Sequence, residues 1–536
     1  MSDSHPDFTF LFMDYETFNS TPRGGRASQF AGIRTDADLN ILPNRALNIF
    51  CEQSPDNIPS PIAALITGIT PQSIKRIKAG IEHPPKGNVE ANVEVLNEYQ
   101  FTKRILEEMK VPHTCTLGFN SIRFDDEFTR NLAYRNLFDP YEREYSNYNS
   151  RFDVYQLVLA TYVLRPHLLI FPDAKNRDTG EVEMHPRTGK PMPSFRLEEL
   201  SKANGATHAN AHDAFSDVEA TIFIMKKIKD GDPVFFDFVF SLRNKSVFNT
   251  YLQRIIQSNG QQKKPIFHIS SNYGKENDVL GVAYQIMDHP TQSNTKIYYD
   301  LRKDVSPLIE LDANGIKERL FSKTADLKEK GLQRLGLTTI KANQCEVIAD
   351  LNENGALLDL FSIDKKALRE NLDLIRAQEA YIKEKLREVY ANEHESTEQD
   401  SDLMIYSGGF FSKLEKDEMN RFHGFVQRGN LHEYSCAIPL SRLPEMIFKI
   451  KARNYPETLT DDEKERWKVY TSKRIVDSSL GAEITLENYK IEMDALRKKE
   501  LEPIQHMVLD EIDEYVELLK KKLITVYTDE CVQAEN

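Results

Sequence analysis

The run Phe8-Thr9-Phe10-Leu11-Phe12-Met13 is aromatic or apolar on both faces and stops at Asp14-Tyr15-Glu16. A strand of that kind belongs in the middle of a sheet covered on both sides. Residues two apart on a strand point to the same side, so Asp14 and Glu16 are placed together at its end. Two adjacent carboxylates repel unless a cation joins them, and oxygen-rich clusters suit Mg²⁺ or Mn²⁺. An arbitrary Asp-x-Glu among 83 acids means little. Its position after a buried strand is what gives it weight.

Around this strand the first part of the chain reads as α/β. Phe30 to Ile33 and Leu39 to Leu42 flank a hairpin connection, and Thr114 to Asn120 is another short buried strand. Val93 to Met109 has helical spacing at Leu96, Phe101, Ile105 and Met109. Phe195 to Ala203 and Asp213 to Ile228 read as helices. Gly231-Asp232-Pro233 breaks the last of these and marks a boundary. Strand-like stretches at Ile266 to Ile269, Val279 to Ile286 and Lys296 to Leu301 then give a small β-rich domain, followed by a helix near Lys365 to Ala391. Ala391 to Asp402 is polar and acidic and reads as an exposed linker. The remainder is mostly helical, and Pro503 divides or kinks its clearest helical stretch, Leu486 to Ile524. The resulting domains are 8–231, 233–388 and 389–536.

The 536 residues, 40% of them hydrophobic, suffice for about three such domains. They exclude a disulfide-stapled peptide and a mainly disordered chain. The net charge of −14 excludes a chain that is basic throughout, but not a local basic groove. Five scattered cysteines without a CxxC pair point to a reducing compartment. No secretory core and no run long enough to span a membrane is visible, so a cytoplasmic protein without membrane partners is expected. GxSxG, HExxH and GxGxxG are absent, and Gly189-Lys190 is followed by Pro191, which rules out a phosphate loop there.

Two further acidic elements remain. Phe124-Asp125-Asp126-Glu127 opens a helix after a predicted strand, where acids also favour a helix N-terminus. His212-Asp213-Ala214-Phe215-Ser216-Asp217 places a histidine at a helix entrance, with Asp213 able to cap and Asp217 a turn further in. A histidine beside metal-bound carboxylates can act as general base near neutral pH.

Taken in order, Asp14, Glu16, Asp125, His212 and Asp217 resemble the DEDDh exonuclease pattern, whose histidine stands five residues before the last Asp. Asp14-Tyr15-Glu16-Thr17-Phe18, Ile66-Thr67-Gly68-Ile69-Thr70-Pro71, Pro193-Ser194-Phe195-Arg196-Leu197 and Lys451-Ala452-Arg453-Asn454-Tyr455-Pro456 extend the likeness over nearly the whole chain. These segments resemble the bacterial exodeoxyribonuclease I family. The resemblance implies an RNase H-like exonuclease domain with a mixed central sheet, an SH3-like β-barrel domain and an α-helical C-terminal domain. It implies removal of nucleotides from the 3′ end of single-stranded DNA in repair and recombination, releasing 5′-mononucleotides with two Mg²⁺ ions, for which Mn²⁺ can substitute. Asp14, Glu16 and Asp217 would be the metal ligands, Asp125 would complete the site and His212 would be the base. Glu16 and Arg196 would contact substrate. Arg165 matches a position that docks the acidic C-terminal tail of single-stranded DNA-binding protein, and a monomer is implied.

Two departures stand out. Ser121 occupies the place where such enzymes commonly carry Asn, and the polar stretch from Asp173 to Pro193 is longer than the resemblance leads one to expect. The same metal site would also serve a DEDDh exoribonuclease trimming RNA 3′ ends, although such enzymes are usually little more than the first domain.

Overall fold

The computed structural model describes residues 7–84, 89–177, 179–206, 213–257, 263–391 and 400–534, with side chains to residue 523. The chain forms two compact units. The first gathers Met1–Arg151, Thr207–Ile222 and Ser396–Asn536; the second gathers Phe152–Ala206 and Phe223–Glu395.

In the N-terminal part, β1 (Thr9–Thr17), β2 (Ala27–Asp36), β3 (Ile41–Cys51), β4 (Asn92–Leu96), β5 (Thr114–Gly118) and β6 (Ser150–Asp153) form a mixed sheet ordered β4-β3-β2-β1-β5-β6. β1 lies inside it, antiparallel to β2 and parallel to β5. That position is why a strand without a polar face is stable here. The stretch from Val93 is not one helix. Val93 to Leu96 alternates branched and polar residues and pairs in parallel with β3. Asn97 then caps the Glu98–Met109 helix by accepting the Gln100 amide hydrogen at 2.9 Å.

The C-terminal helices of the first unit share its core with the N-terminal part. Ile58 and Ala64 cluster with Ile475, Tyr489, Leu509 and Ile512. Tyr99, Tyr134 and Leu137 cluster with Phe422, Leu443 and Ile450. Pro503 stands at the start of the Pro503–Ala534 helix, where the missing amide hydrogen is harmless.

A buried network of charges runs through the same unit. Asp56, fully buried, meets Arg26 at 3.0 Å and Arg453 at 2.8 Å. Glu98 pairs with Arg135 at 2.9 Å, and Lys449 with Asp400 at 2.7 Å. Arg453 also binds Asp402. The acidic segment expected as an exposed linker therefore ends in two buried carboxylates, Asp400 and Asp402, because cations of the Leu443–Asn454 helix receive them. Burial raises the pKa of Asp402, but Arg453 and Lys449 outweigh it and bring it down to about 2. The same competition, won by Arg453 and Arg26, holds Asp56 well below the carboxylate range.

In the second unit, β7 (Ile266–Ile269), β8 (Leu280–Asp288), β9 (Thr295–Asp300), β10 (Leu337–Lys341) and β11 (Val347–Ala349) form an antiparallel sheet ordered β10-β9-β8-β7-β11. The expected helix near Lys365 is two, Lys365–Ala377 and Glu379–Ala391. The Asp173 to Pro193 stretch doubles back twice, with bridges at Asp173–Pro193, Lys175–Val182 and Met184–Pro191. It is fastened within its unit by Glu183 to Lys275 at 2.6 Å and Arg187 to Asp278 at 3.1 Å.

Removing one member of a buried ion pair leaves the other charge without compensation, at about 3–5 kcal/mol. Arg453→Met is expected to cost that much in urea unfolding, because it removes the close cation of Asp402 and leaves Asp56 with Arg26 as its close cation. These carboxylates have depressed pKa values, so their contribution is full above the ordinary carboxylate range. It should be lost as the pH falls through about 4 towards 2, and the Arg453→Met protein should lack that part of the acid transition. An unchanged transition would place the stabilisation elsewhere.

Candidate metal centre

β1 continues past its apolar run through Asp14 and Glu16 to Thr17. Against β2, Asp14 stands opposite Ala31 and Glu16 opposite Gln29, before the register shifts at Glu16/Thr17. β5 accompanies β1 only from Thr9 to Phe12. The chain leaves at Gly118, where a Cβ would lie 2.6 Å from the Met13 carbonyl oxygen, so only glycine allows this approach. A turn at Ser121–Arg123 leads into the Asp125–Arg135 helix. Ser121 is buried there, and its carbonyl accepts the Phe124 amide hydrogen at 3.3 Å.

That helix separates two adjacent acids. Asp125 turns to β1, and its Oδ1 accepts the Tyr15 amide hydrogen at 3.1 Å. Asp126 turns away and is bound by Arg143 at 2.6 Å and Arg151 at 2.9 Å. Burial raises the pKa of Asp126, but the two arginines bring it below the usual range. Asp126 is thus a neutralised structural anchor, while Asp125 faces other carboxylates.

The third element comes from the Ala214–Gly231 helix. Asp213 caps it, accepting the Ser216 amide hydrogen at 3.2 Å on Oδ2, while its Oδ1 accepts from Gln29 Nε2 at 3.3 Å. Asp217 follows one turn later. One carboxylate oxygen from each of Asp14, Glu16 and Asp217 lies within 4.8 Å of the other two. The structure thus brings together three residues far apart in sequence, with Asp125 beside them. His212 lies outside the described residues.

The electrostatics are those of a crowd of like charges. Burial, then Asp125, Glu16 and Asp217, raise the pKa of Asp14 well above its ordinary value. Burial, then Asp217, Asp213 and Asp125, raise Glu16 to about 8. Three oxygen donors at this separation, carried by a buried strand and a helix, fit a hard divalent cation.

The other expected residues belong to the second unit. Arg196 precedes the Leu197–Ala203 helix and pairs with Glu199 at 3.1 Å. Arg165 closes the Val154–Leu164 helix, pairs with Asp232 at 3.0 Å and lies over the Phe235 ring at 5.3 Å. Sequence reasoning treated Asp213 only as a cap and gave Gln29 no role. The Asp213–Asp217 spacing of four was a signal for a shared helix face. The register that sets Gln29 against Glu16 left no mark in the sequence.

Comparison with known proteins gives this geometry a family. Residues 249–392 match the Exonuclease I SH3-like domain, and residues 399–519 match the Exonuclease I C-terminal domain. Exodeoxyribonuclease I of Escherichia coli is 36% identical over 469 residues, covering 87% of this chain and 90% of its own. The chain belongs to the exodeoxyribonuclease I family. It is a mixed α/β N-terminal domain followed by an SH3-like and a helical C-terminal domain. The E. coli Exonuclease I structure in complex with a dA16 oligonucleotide aligns with a TM-score of 0.81 at 33% identity, covering 96% of this chain and 100% of that one. The zinc-bound form of the E. coli enzyme with single-stranded DNA aligns with a TM-score of 0.80 at 32% identity, covering 96% and 99%. Membership makes this chain a metal-dependent exonuclease. Among the described residues, no helix is long and apolar enough to cross a membrane.

Without divalent ions, the fold favours the protonated form of Glu16 up to about pH 8. That contribution is full below the ordinary carboxylate pKa of 4.5 and is lost as the pH rises towards 8. The rise in Tm on adding Mg²⁺ to EDTA-treated protein should therefore be larger at pH 8 than at pH 5. Glu16→Gln should flatten the dependence. Equal shifts at both pH values would show that the ion binds elsewhere.

Proposed function

We propose that this family member is a 3′→5′ exodeoxyribonuclease specific for single-stranded DNA, releasing 5′-mononucleotides in DNA repair and recombination. The observation that carries this reading is the meeting of Asp14, Glu16 and Asp217 at the end of β1. The E. coli relatives solved with dA16 and dT13 oligonucleotides support the substrate class.

Asp14, Glu16 and Asp217 would hold two Mg²⁺ ions, with Mn²⁺ able to replace them. The bound ions supply positive charge that offsets the negative charge of the scissile phosphate. Asp125, oriented by the Tyr15 amide, completes the acidic wall. Glu16 also meets the terminal nucleotide. His212 takes a proton from the attacking water, whose oxygen bonds to phosphorus as the phosphorus–O3′ bond breaks; O3′ gains a proton, so the shortened strand ends in a 3′ hydroxyl and the released nucleotide carries the phosphate on its 5′ oxygen. Arg196 pairs with a substrate phosphate, which requires it to leave Glu199.

The remaining assignments are a cytoplasmic monomer with domains 8–231, 233–388 and 389–536, and a partner, the acidic C-terminal tail of single-stranded DNA-binding protein. Arg165 is the basic contact for that tail, whose carboxylates would compete with Asp232. Arg165→Ala should weaken binding of the tail peptide in fluorescence anisotropy without changing degradation of a bare oligonucleotide. Unchanged peptide binding would remove Arg165 from the interface.

The main test uses 5′-labelled single-stranded DNA, the matching duplex and an RNA strand of the same sequence, each with Mg²⁺. Stepwise shortening of the single-stranded DNA alone is expected, and it should be lost in EDTA and in Asp14→Ala. His212→Ala should lower kcat about 10²–10⁴-fold, the usual contribution of a positioned base. Faster shortening of RNA would instead assign the exoribonuclease reading.

A further inference from the structure

The sheet face that carries Asp14 and Glu16 continues across β2 and β3. Residues directly opposite on antiparallel strands put their side chains on the same face. Ala31 stands opposite Asp14 and Gln29 opposite Glu16. On β3, Asn48 stands opposite Ala31 and Phe50 opposite Gln29. Gln29 and Asn48 are both buried, and a buried amide has to place its hydrogens. Gln29 Nε2 donates to Asn48 Oδ1 at 2.9 Å and to Asp213 Oδ1 at 3.3 Å. An ionised carboxylate only accepts, so the NH₂ end of the Gln29 amide has to face Asp213.

Asp213 stands where its placement is passed on. Its Oδ2 accepts the Ser216 amide hydrogen at 3.2 Å, and its carbonyl oxygen accepts the Asp217 amide hydrogen at 3.1 Å. These two bonds define the first turn of the helix that presents Asp217. β1 delivers Asp14 and Glu16, the helix delivers Asp217, and Gln29 links the two through Asp213.

The linking donor is also neutral. Among the described residues no Lys or Arg pairs with Asp213, whereas Asp126 is held by Arg143 and Arg151. A cation in place of Gln29 would hold Asp213 too. It would also put a positive charge beside carboxylates that have to attract a divalent ion. The Asp213 charge acts on both Asp14 and Glu16, so a charge placed against it would reach them as well.

We propose that Gln29, anchored by Asn48, is a positioning residue of the metal centre. Acting through Asp213, it sets the start of the helix that presents Asp217 to Asp14 and Glu16, and it does so without neutralising them. This role rests on the reading of Asp14, Glu16 and Asp217 as the metal ligands.

The test titrates Mn²⁺ into the full-length protein without DNA and follows the free ion by electron paramagnetic resonance. Gln29→Met keeps the length of the side chain and removes the donor. It should weaken Mn²⁺ binding about two- to tenfold, the size of one hydrogen bond. With saturating Mg²⁺, kcat should fall by a similar factor while KM for an oligonucleotide stays unchanged. Gln29→Lys, which restores a donor together with a charge, should weaken Mn²⁺ binding further than Gln29→Met does. Asp213→Ala should weaken it at least as much as Gln29→Met. Adding Gln29→Met to Asp213→Ala should change nothing more, because residues that act as one unit are not additive. A lowered Tm in EDTA with wild-type Mn²⁺ affinity in Gln29→Met would make Gln29 a packing residue and overturn the proposal. Additive effects in the double variant, or wild-type affinity in Gln29→Lys, would overturn it too. Asp14→Ala is run alongside and should lose Mn²⁺. If it kept full affinity, the ligand reading would fall and the positioning role with it. Loss in Asp14→Ala beside wild-type affinity in Gln29→Met would remove the positioning role alone.

Discussion

Like charges forced together at the end of a buried strand are the constraint that the other features serve. Asp14, Glu16 and Asp217, with Asp125 and Asp213 nearby, would relax apart if their supports were soft. Each of their supports is tied to a neighbouring element. β1 is sandwiched within the sheet, Asp125 is tied to the β1 backbone, and Asp213 is tied both to its own helix and to Gln29 on β2. Burial and the neighbouring acids together raise the pKa values of Asp14 and Glu16. A site of this kind binds a divalent cation with the repulsion already built in, so that cation binding relieves it.

A second set of charges works in the opposite sense. Around Asp56, Glu98, Asp400 and Asp402 each carboxylate has its cation, and the result is a fixed joint between the N-terminal sheet and the C-terminal helices. Asp125 and Asp126 show the two regimes side by side. One residue is left to face other acids, and its neighbour is neutralised by Arg143 and Arg151. Whether an acid in this protein is chemical or structural is decided by which cations reach it.

That distinction also marks what could be read from the sequence. Spacing placed Asp14 and Glu16 on one strand face and Asp217 a turn inside a helix, because strand and helix periods are local properties. The apolar runs at Phe8, Thr114 and Ile266 were legible as strands for the same reason. Segment Val93 to Leu96 was misread as helix, since its fate depended on pairing with β3, a contact some 45 residues away. The burial of Asp400 and Asp402 was invisible, because it rests on Lys449 and Arg453, about 50 residues further on. Nor could periodicity show that residues beyond 396 complete the unit begun at the N-terminus.

This last feature bears on how the protein is made. Asp56 and Glu98 leave the ribosome long before the segment carrying Arg453 and Arg474, which surround Asp56 in the finished unit. From residue 151 to residue 453 about 300 residues are synthesised, which takes roughly 15–60 s at ordinary translation rates. During that interval Asp56 has Arg26 and Glu98 has Arg135, but Arg453 and the helix that carries it are still missing. Asp56 therefore acquires its full set of cations, and Tyr99 its C-terminal neighbours, only after residue 474 has been made.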